Sequence, residues 1–226
     1  MEETININIG GYITGNEVVS ISKFRLWPSL LAYSRWILKN TIPGHNLVRS
    51  GLGITVINNL AIAVEGFVAD MVVEKLDTNQ PEKPKEIIFL ESKATWAQKR
   101  GLFNKNFKNK LESYPEFESI KVLFSLRNNF LHGLSHSEVT TRKIDSEEWA
   151  KLKSTNDKYQ VARSFFVKKG LLKDAETHSN VEMLWKLEIV VFLYSETQKL
   201  LTRIMADNDL PNFIGINNEM KNAFFV

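Results

Sequence analysis

The sequence predicts an all-α fold, a helical bundle with a short β-hairpin in front of it, and three observations carry that prediction. Apolar residues recur at spacings of three and four through several long segments, which lays a continuous stripe along one side of an α-helix. Between those segments the chain is punctuated by turn-forming sequence: TIPGHN at 41–46, DTNQPEKPKE at 77–86 and Pro115. Finally, 226 residues with 43% hydrophobic and 24% charged content are enough to bury a substantial core and resemble neither a disordered nor a collagen-like chain.

Each element follows in order. Residues 4–20 alternate Ile up to a Gly-Gly pair and resume with a second β-prone stretch, which suggests a hairpin. From Phe24 to about Lys39, Phe24, Leu26, Leu30, Leu31, Tyr33 and Trp36 keep helical spacing, with Pro28 in the first turn or opening a second segment. The next helix, Ile54 to about Leu76, carries Ile54, Ile57, Leu60, Ala61, Val64, Val68, Met71 and Val72. Val56, Ala63, Phe67 and Val73 widen that stripe, so this helix is expected at the centre, enclosed by neighbours or a partner. Trp96, Leu102, Phe103, Phe107 and Leu111 punctuate a basic stretch in which Gly101 weakens the case for one continuous helix. Glu116 to His132 reads as a helix through Phe117, Ile120, Leu123, Phe124 and Leu131, with Gly133 as its C-cap. Residues 134–180 read as an insertion holding a hairpin or short helices. A last helix runs from about Val181 to Ile204 on Leu184, Leu187, Val191, Leu200, Leu201 and Ile204. The chain thus divides into an N-terminal extension (1–22), a helical domain (23–205) and a C-terminal extension (206–226).

Composition narrows the chemistry. The absence of cysteine removes disulfides, thiolate nucleophiles and cysteine metal sites, and fits a reducing compartment. The acidic start MEETININIGGYITG lacks the basic head and apolar run of a signal peptide. The most apolar stretches, ITVINNLAIAV and LEIVVFLY, are interrupted by Asn or Glu before the roughly 20 residues of a bilayer helix. A soluble, cytoplasmic protein without a membrane partner is the expectation.

With 29 basic and 26 acidic residues the net charge is only +3, so its distribution matters more than its size. Lys93, Lys99, Arg100, Lys105, Lys108 and Lys110 fall in one stretch without a carboxylate. That stretch is either an RNA-binding surface that combines charge with stacking or a solvated face above a core stripe; its aromatics favour packing in the core.

The segment SLRNNFLHG places a guanidinium, two amides and an imidazole within a few residues, a set suited to phosphate chemistry. Arg127 can donate paired hydrogen bonds to phosphate oxygens, and His132 can exchange a proton near neutral pH. Asn128 can orient either of them. On a helix Asn128 and His132 lie one turn apart on one face, whereas Arg127 and His132 are about 140° apart. The alternative is structural: Arg127 in an ion pair and His132 ending a helix beside Gly133.

Residues 126–133, LRNNFLHG, resemble the signature of the HEPN superfamily, the helical domains named for higher eukaryotes and prokaryotes nucleotide-binding. The pattern is Arg, a polar residue, a short spacer and His, which Arg127, Asn128 and His132 match. The resemblance is close only over 126–133. It implies a bundle of four or five helices, frequent homodimers and, in many members, metal-independent RNA cleavage between subunits without a cofactor. In that scheme His132, Arg127 and Asn128 are catalytic, and a two-fold dimer brings two copies of each to one cleft. The expected role is an endoribonuclease acting as a toxin or in anti-phage defence, with RNA as substrate and an antitoxin or regulatory protein as a further partner. Other members are noncatalytic RNA-binding or assembly modules, and that alternative stands beside the first.

Glu65, a carboxylate inside AIAVEGFVADM, either orients His132 or Arg127, caps a neighbouring helix group or faces solvent. His136, just after the motif, could line the cleft; His45 and His178 carry no such argument.

Overall fold

The computed structural model describes residues 8–14, 17–23, 25–41, 51–76, 85, 89–90, 93–132, 158–173 and 186–208. Two strands, β1 (Asn8–Thr14) and β2 (Glu17–Lys23), pair antiparallel in the register Asn8↔Lys23 to Thr14↔Glu17. Gly10 and Gly11 therefore lie within β1, opposite Ile21 and Ser20, and not at the reversal. Six α-helices with described bounds follow: α1 (Trp27–Asn40), α2 (Leu52–Leu76), α3 (Trp96–Asn106), α4 (Phe117–His132), α5 (Lys158–Lys168) and α6 (Leu187–Asp207). A 3-10 turn, Leu111–Ser113, joins α3 to α4. The fold is an all-α bundle.

The 25-residue helix α2 is the hub, touched by α1, α3, α4 and α6. Gly51 at φ 67° precedes it, a left-handed conformation that costs a residue without Cβ least. Val56, Ile57, Leu60, Ala61, Ala63, Val64, Phe67, Val68, Met71 and Val72 are all fully buried. By length and composition alone α2 could cross a bilayer. Half of that apolar window is buried inside the bundle, so the criterion is met here by a core helix. A helix apolar on several sides suits a bundle centre as well as a membrane.

The start of α1 is keyed into α2 by specific contacts. Trp27 donates its indole N–H to Asp70 at 2.8 Å and meets Phe67 edge-on, with ring centroids 5.3 Å apart. Arg25 sits 2.7 Å from Glu74 and 3.4 Å from Asp70, its side chain buried between these two carboxylates one turn apart. Gly66 makes the approach possible, because a Cβ there would lie 3.3 Å from the Cβ of Trp27. Pro28 falls in the first turn of α1, where no intrahelical N–H is needed.

That key fixes the register of α1 differently from the sequence reading. The buried stripe is Trp27, Leu31, Ser34 and Ile37, whereas Leu26, Tyr33 and Trp36 are exposed. Both sets have good helical spacing, one residue out of step. Docking Trp27 against Gly66 selects the first and turns the second outward.

Helix α3 begins with a reciprocal cap, Thr95 accepting from the backbone of Gln98 and the Gln98 side chain accepting from Thr95 N–H at 2.8 Å. It runs through Gly101 without interruption. Phe103 and Phe107 are buried and stacked 4.3 Å apart, so the aromatics of the basic stretch belong to the core. Within the expected 134–180 insertion, α5 is a bundle element, packed on α4 with Ala162 and Phe166 buried. Gly170 at φ 73° closes it, with Gly170 N–H to Val167 and Leu171 N–H to Phe166, the paired bonds of a left-handed helix stop. Helix α6 starts at Leu187 and continues to Asp207, beyond Ile204. Val191, expected in its core stripe, is exposed, while Ile189, Val190 and Leu193 are buried instead. Leu131 and Leu184 belong to the core expectation but lie outside the residues whose side chains are described, as do residues 209–226 of the C-terminal extension.

At the far end of the bundle, burial and the nearby Asp207 carboxylate push the Tyr114 hydroxyl above its ordinary pKa. Burial also raises Tyr194, with Arg35 opposing. A raised phenol keeps its proton longer in the folded state, so its contribution to stability is intact below about pH 10 and lost as pH climbs beyond. Urea unfolding between roughly pH 9 and 11 is expected to show this loss, shallower in Tyr114→Phe; an identical pH slope in the variant would count against it. Gly66→Val is expected to cost about 1–3 kcal/mol in the same assay at neutral pH, by driving Trp27 off α2.

Candidate functional site

Helix α4 carries the LRNNFLHG motif at its C-terminal end, and its core face sets where the motif points. Ile120, Leu123, Phe124 and Leu126 are buried. Arg127 follows Phe124 by three positions, so its side chain lies back along that ring, with the guanidinium carbon 5.2 Å above the ring centroid. Phe124 is in turn stacked on Trp96 at 4.3 Å and 11°. Trp96 opens α3, so the basic stretch is docked onto the motif helix by this ring pair.

Arg127 is held from two further sides. Its Nη1 lies 3.2 Å from Oε1 of Glu65 on α2, and its Nε and Nη2 both donate to Oδ1 of Asn128 at 3.2 Å. Arg127 and Glu65 side chains are each 18% exposed, which makes this a half-enclosed pair at the edge of the core. Two of the five N–H donors of the guanidinium are thus hydrogen-bonded, both to Asn128, Nη1 faces Glu65 as an ion pair, and among the described residues no other group accepts from the Nη hydrogens. Glu65 thus adopts the Arg127-orienting position of its several expected ones. Asn128 orients Arg127 and is itself exposed.

The backbone of His132 closes α4 one turn beyond Asn128. The side chain of His132 lies outside the described atoms, and His136, His45 and His178 lie outside the described residues. No family model, curated protein or solved structure matches this chain.

The basic stretch is less uniform than its sequence. Lys93, Lys105, Lys108 and Lys110 are exposed and Lys99 is half-buried. Arg100 is 3.3 Å from Glu112, which also accepts from Asn104 at 2.7 Å, so this cation is offset by a carboxylate from the following 3-10 turn. Among the described residues no three His, Asp or Glu side chains gather where a metal could be held.

A second polar cluster on α4 and α6 is structural. Ser119 donates to the buried Glu196 at 3.0 Å, Lys199 donates to the same carboxylate at 2.9 Å, and Arg203 sits 2.8 Å from the buried Glu116. These contacts tie the opening of α4 to α6.

Trp96 and Phe124 as the backing of Arg127 were not singled out from sequence. The i, i+3 spacing of Phe124 and Arg127 was the available signal. The stack on Trp96 needed the docking of α3. A double-mutant cycle of Glu65→Gln and Arg127→Met, read by urea unfolding, is expected to give a coupling of about 1 kcal/mol. Additive effects would dismiss the pair as a stabilising contact.

Proposed function

We propose that this protein is a metal-independent endoribonuclease of the HEPN type, acting as a cytoplasmic homodimer in a toxin or anti-phage role. The observation that carries the reading is the setting of Arg127. An arginine needed only as a surface charge has no use for an aromatic floor, a carboxylate and an amide that together fix its plane. A phosphate ligand does, because a guanidinium held in one orientation loses less entropy on binding. The Nη hydrogens that no described residue accepts could take the non-bridging oxygens of a phosphodiester.

The proposed reaction is transesterification within the RNA. A base removes the 2′-hydroxyl proton, the 2′-oxygen bonds to the adjacent phosphorus, and the bond to the 5′-oxygen breaks as an acid delivers a proton to it. The products carry 2′,3′-cyclic phosphate and 5′-hydroxyl ends. His132 from each of two subunits would supply base and acid, and Arg127 would offset charge on the phosphoryl oxygens. DNA lacks the attacking hydroxyl and would resist. Lys93, Lys99, Lys105, Lys108 and Lys110 would attract the RNA backbone, and an antitoxin or regulatory protein would restrain the activity.

One observation favours a second reading, a noncatalytic RNA-binding or assembly module. Glu65 already neutralises Arg127, and a phosphate would have to share that guanidinium with a carboxylate 3.2 Å away. Cleavage in EDTA separates the two. The parent is expected to cut single-stranded RNA, and His132→Ala and Arg127→Ala to fall by at least about 100-fold. Equal rates in all three proteins would remove the assigned site, and binding without turnover in the parent would favour the module.

A further inference from the structure

Helix α1 presents an aromatic surface that the bundle does not use. Tyr33 and Trp36 are 50% and 59% exposed, although burying rings of this size is among the larger gains available to a fold. They are not loose. Their rings lie nearly parallel, 8° apart with centroids at 5.9 Å, so they form a short offset stack on the outside of the helix. Leu26, half exposed, precedes them on the same stripe two turns earlier.

The charged residues of α1 itself have one sign. Between Trp27 and Asn40, α1 contains Arg35 and Lys39 and no Asp or Glu. Lys39 is exposed one turn beyond Trp36, where its ammonium can follow a ligand stacked on the indole. Stacked rings open to solvent, on a helix that carries an exposed lysine one turn on and no carboxylate of its own, match what single-stranded nucleic acids require: a flat apolar face for each base and positive charge for the backbone between bases.

Counted over the described residues, size argues against the obvious competitor, a second copy of the chain. Two half-exposed aromatics and one half-exposed leucine offer roughly 300 Å² of apolar surface. A stable dimer interface removes about 800 Å² from each partner and is depleted of lysine at its centre. The patch fits two or three bases better than a protein face.

We infer that the Tyr33–Trp36 stack on α1 is a base-stacking platform for single-stranded RNA, separate from the Arg127 site and serving to hold the strand that the enzyme cuts. The choice of RNA over DNA rests on the ribonuclease reading. Stacking itself is indifferent to base identity, so the platform adds affinity for unpaired strands without adding sequence preference.

The test measures fluorescence anisotropy of a short labelled oligouridylate in EDTA at fixed low salt, with every protein carrying His132→Ala so that the strand stays intact. Trp36→Ala is expected to weaken binding at least about tenfold, Tyr33→Ala less, and Trp36→Phe to retain most of the affinity. Circular dichroism confirms that each variant keeps its helices, which the outward position of both rings predicts. A duplex of the same length is expected to compete poorly. Unchanged affinity in Trp36→Ala, or no binding by the starting protein, overturns the platform. So does a sedimentation mass that drops from dimer to monomer on Trp36→Ala, which would make the stack a contact between copies. Cleavage by the otherwise native chain is scored separately. Cleavage with Trp36-independent binding removes the platform alone, and Trp36-dependent binding without cleavage removes the nuclease alone.

Discussion

Taking α2 out of water without stranding its carboxylates is the constraint around which the bundle is arranged. The helix is apolar on several sides, and ten of its hydrophobic side chains have no solvent exposure at all. Enclosing it requires α1, α3, α4 and α6 together, yet Glu65, Asp70 and Glu74 travel inward with it. An ionised carboxylate at the edge of a core is costly unless something charged or hydrogen-bonding meets it. Each is met: Asp70 by the Trp27 indole and Arg25, Glu74 by Arg25, and Glu65 by Arg127. Asp70 and Glu74 orient α1 through the residues just before it and at its first position. Glu65 orients α4 through the motif arginine. The same helix thereby sets the register of one neighbour and the side-chain geometry of another.

This gives Arg127 a structural duty that the proposed phosphate-binding role would pull against. As a clamp it holds the end of α4 to α2, and the Glu65 carboxylate at 3.2 Å is the source of that hold. As a phosphate ligand it would need its positive charge available. The geometry reconciles the two in part, because Glu65 engages one terminal nitrogen and Asn128 the inner edge, while the Phe124 ring covers one face. Among the described residues nothing engages the outer rim of the guanidinium. Whatever the chemistry, an incoming anion would find this group already oriented, with its charge partly balanced and its ring support continued through Trp96 to α3.

The positions of the central elements were legible because their patterns were redundant. In α2 the apolar residues are so dense that no rotation of the helix changes the conclusion, and Glu116 to His132 matched α4 within one residue because Pro115 stops the chain before it. α1 shows the opposite. It carries two apolar stripes offset by one residue, Trp27-Leu31-Ile37 and Leu26-Tyr33-Trp36, and periodicity cannot choose between them. The choice is made by a notch at Gly66, 39 positions further along the chain from Trp27, which only docking reveals. α5 was obscured for another reason: an 11-residue helix in a polar stretch has too few turns to establish a stripe, and its Phe166 becomes core only against α4 and α6.

For the site, the sequence by itself determined the inventory and its spacing. It supplied Arg127 and Asn128 side by side, His132 one turn later, a lone carboxylate in an apolar helix and a run of cations beside aromatics. It could not determine pairing, because Glu65 and Arg127 are 62 positions apart and several partners were chemically equivalent for each. The tertiary structure decided that Glu65 meets Arg127, that Arg100 is offset by Glu112, that Phe103 and Phe107 are core, and that Tyr33 and Trp36 face water. The division has a physical origin. Helical periodicity depends on neighbours three and four residues away and is written locally, whereas ion pairs and ring contacts between helices depend on which faces dock, and docking is a property of the whole core.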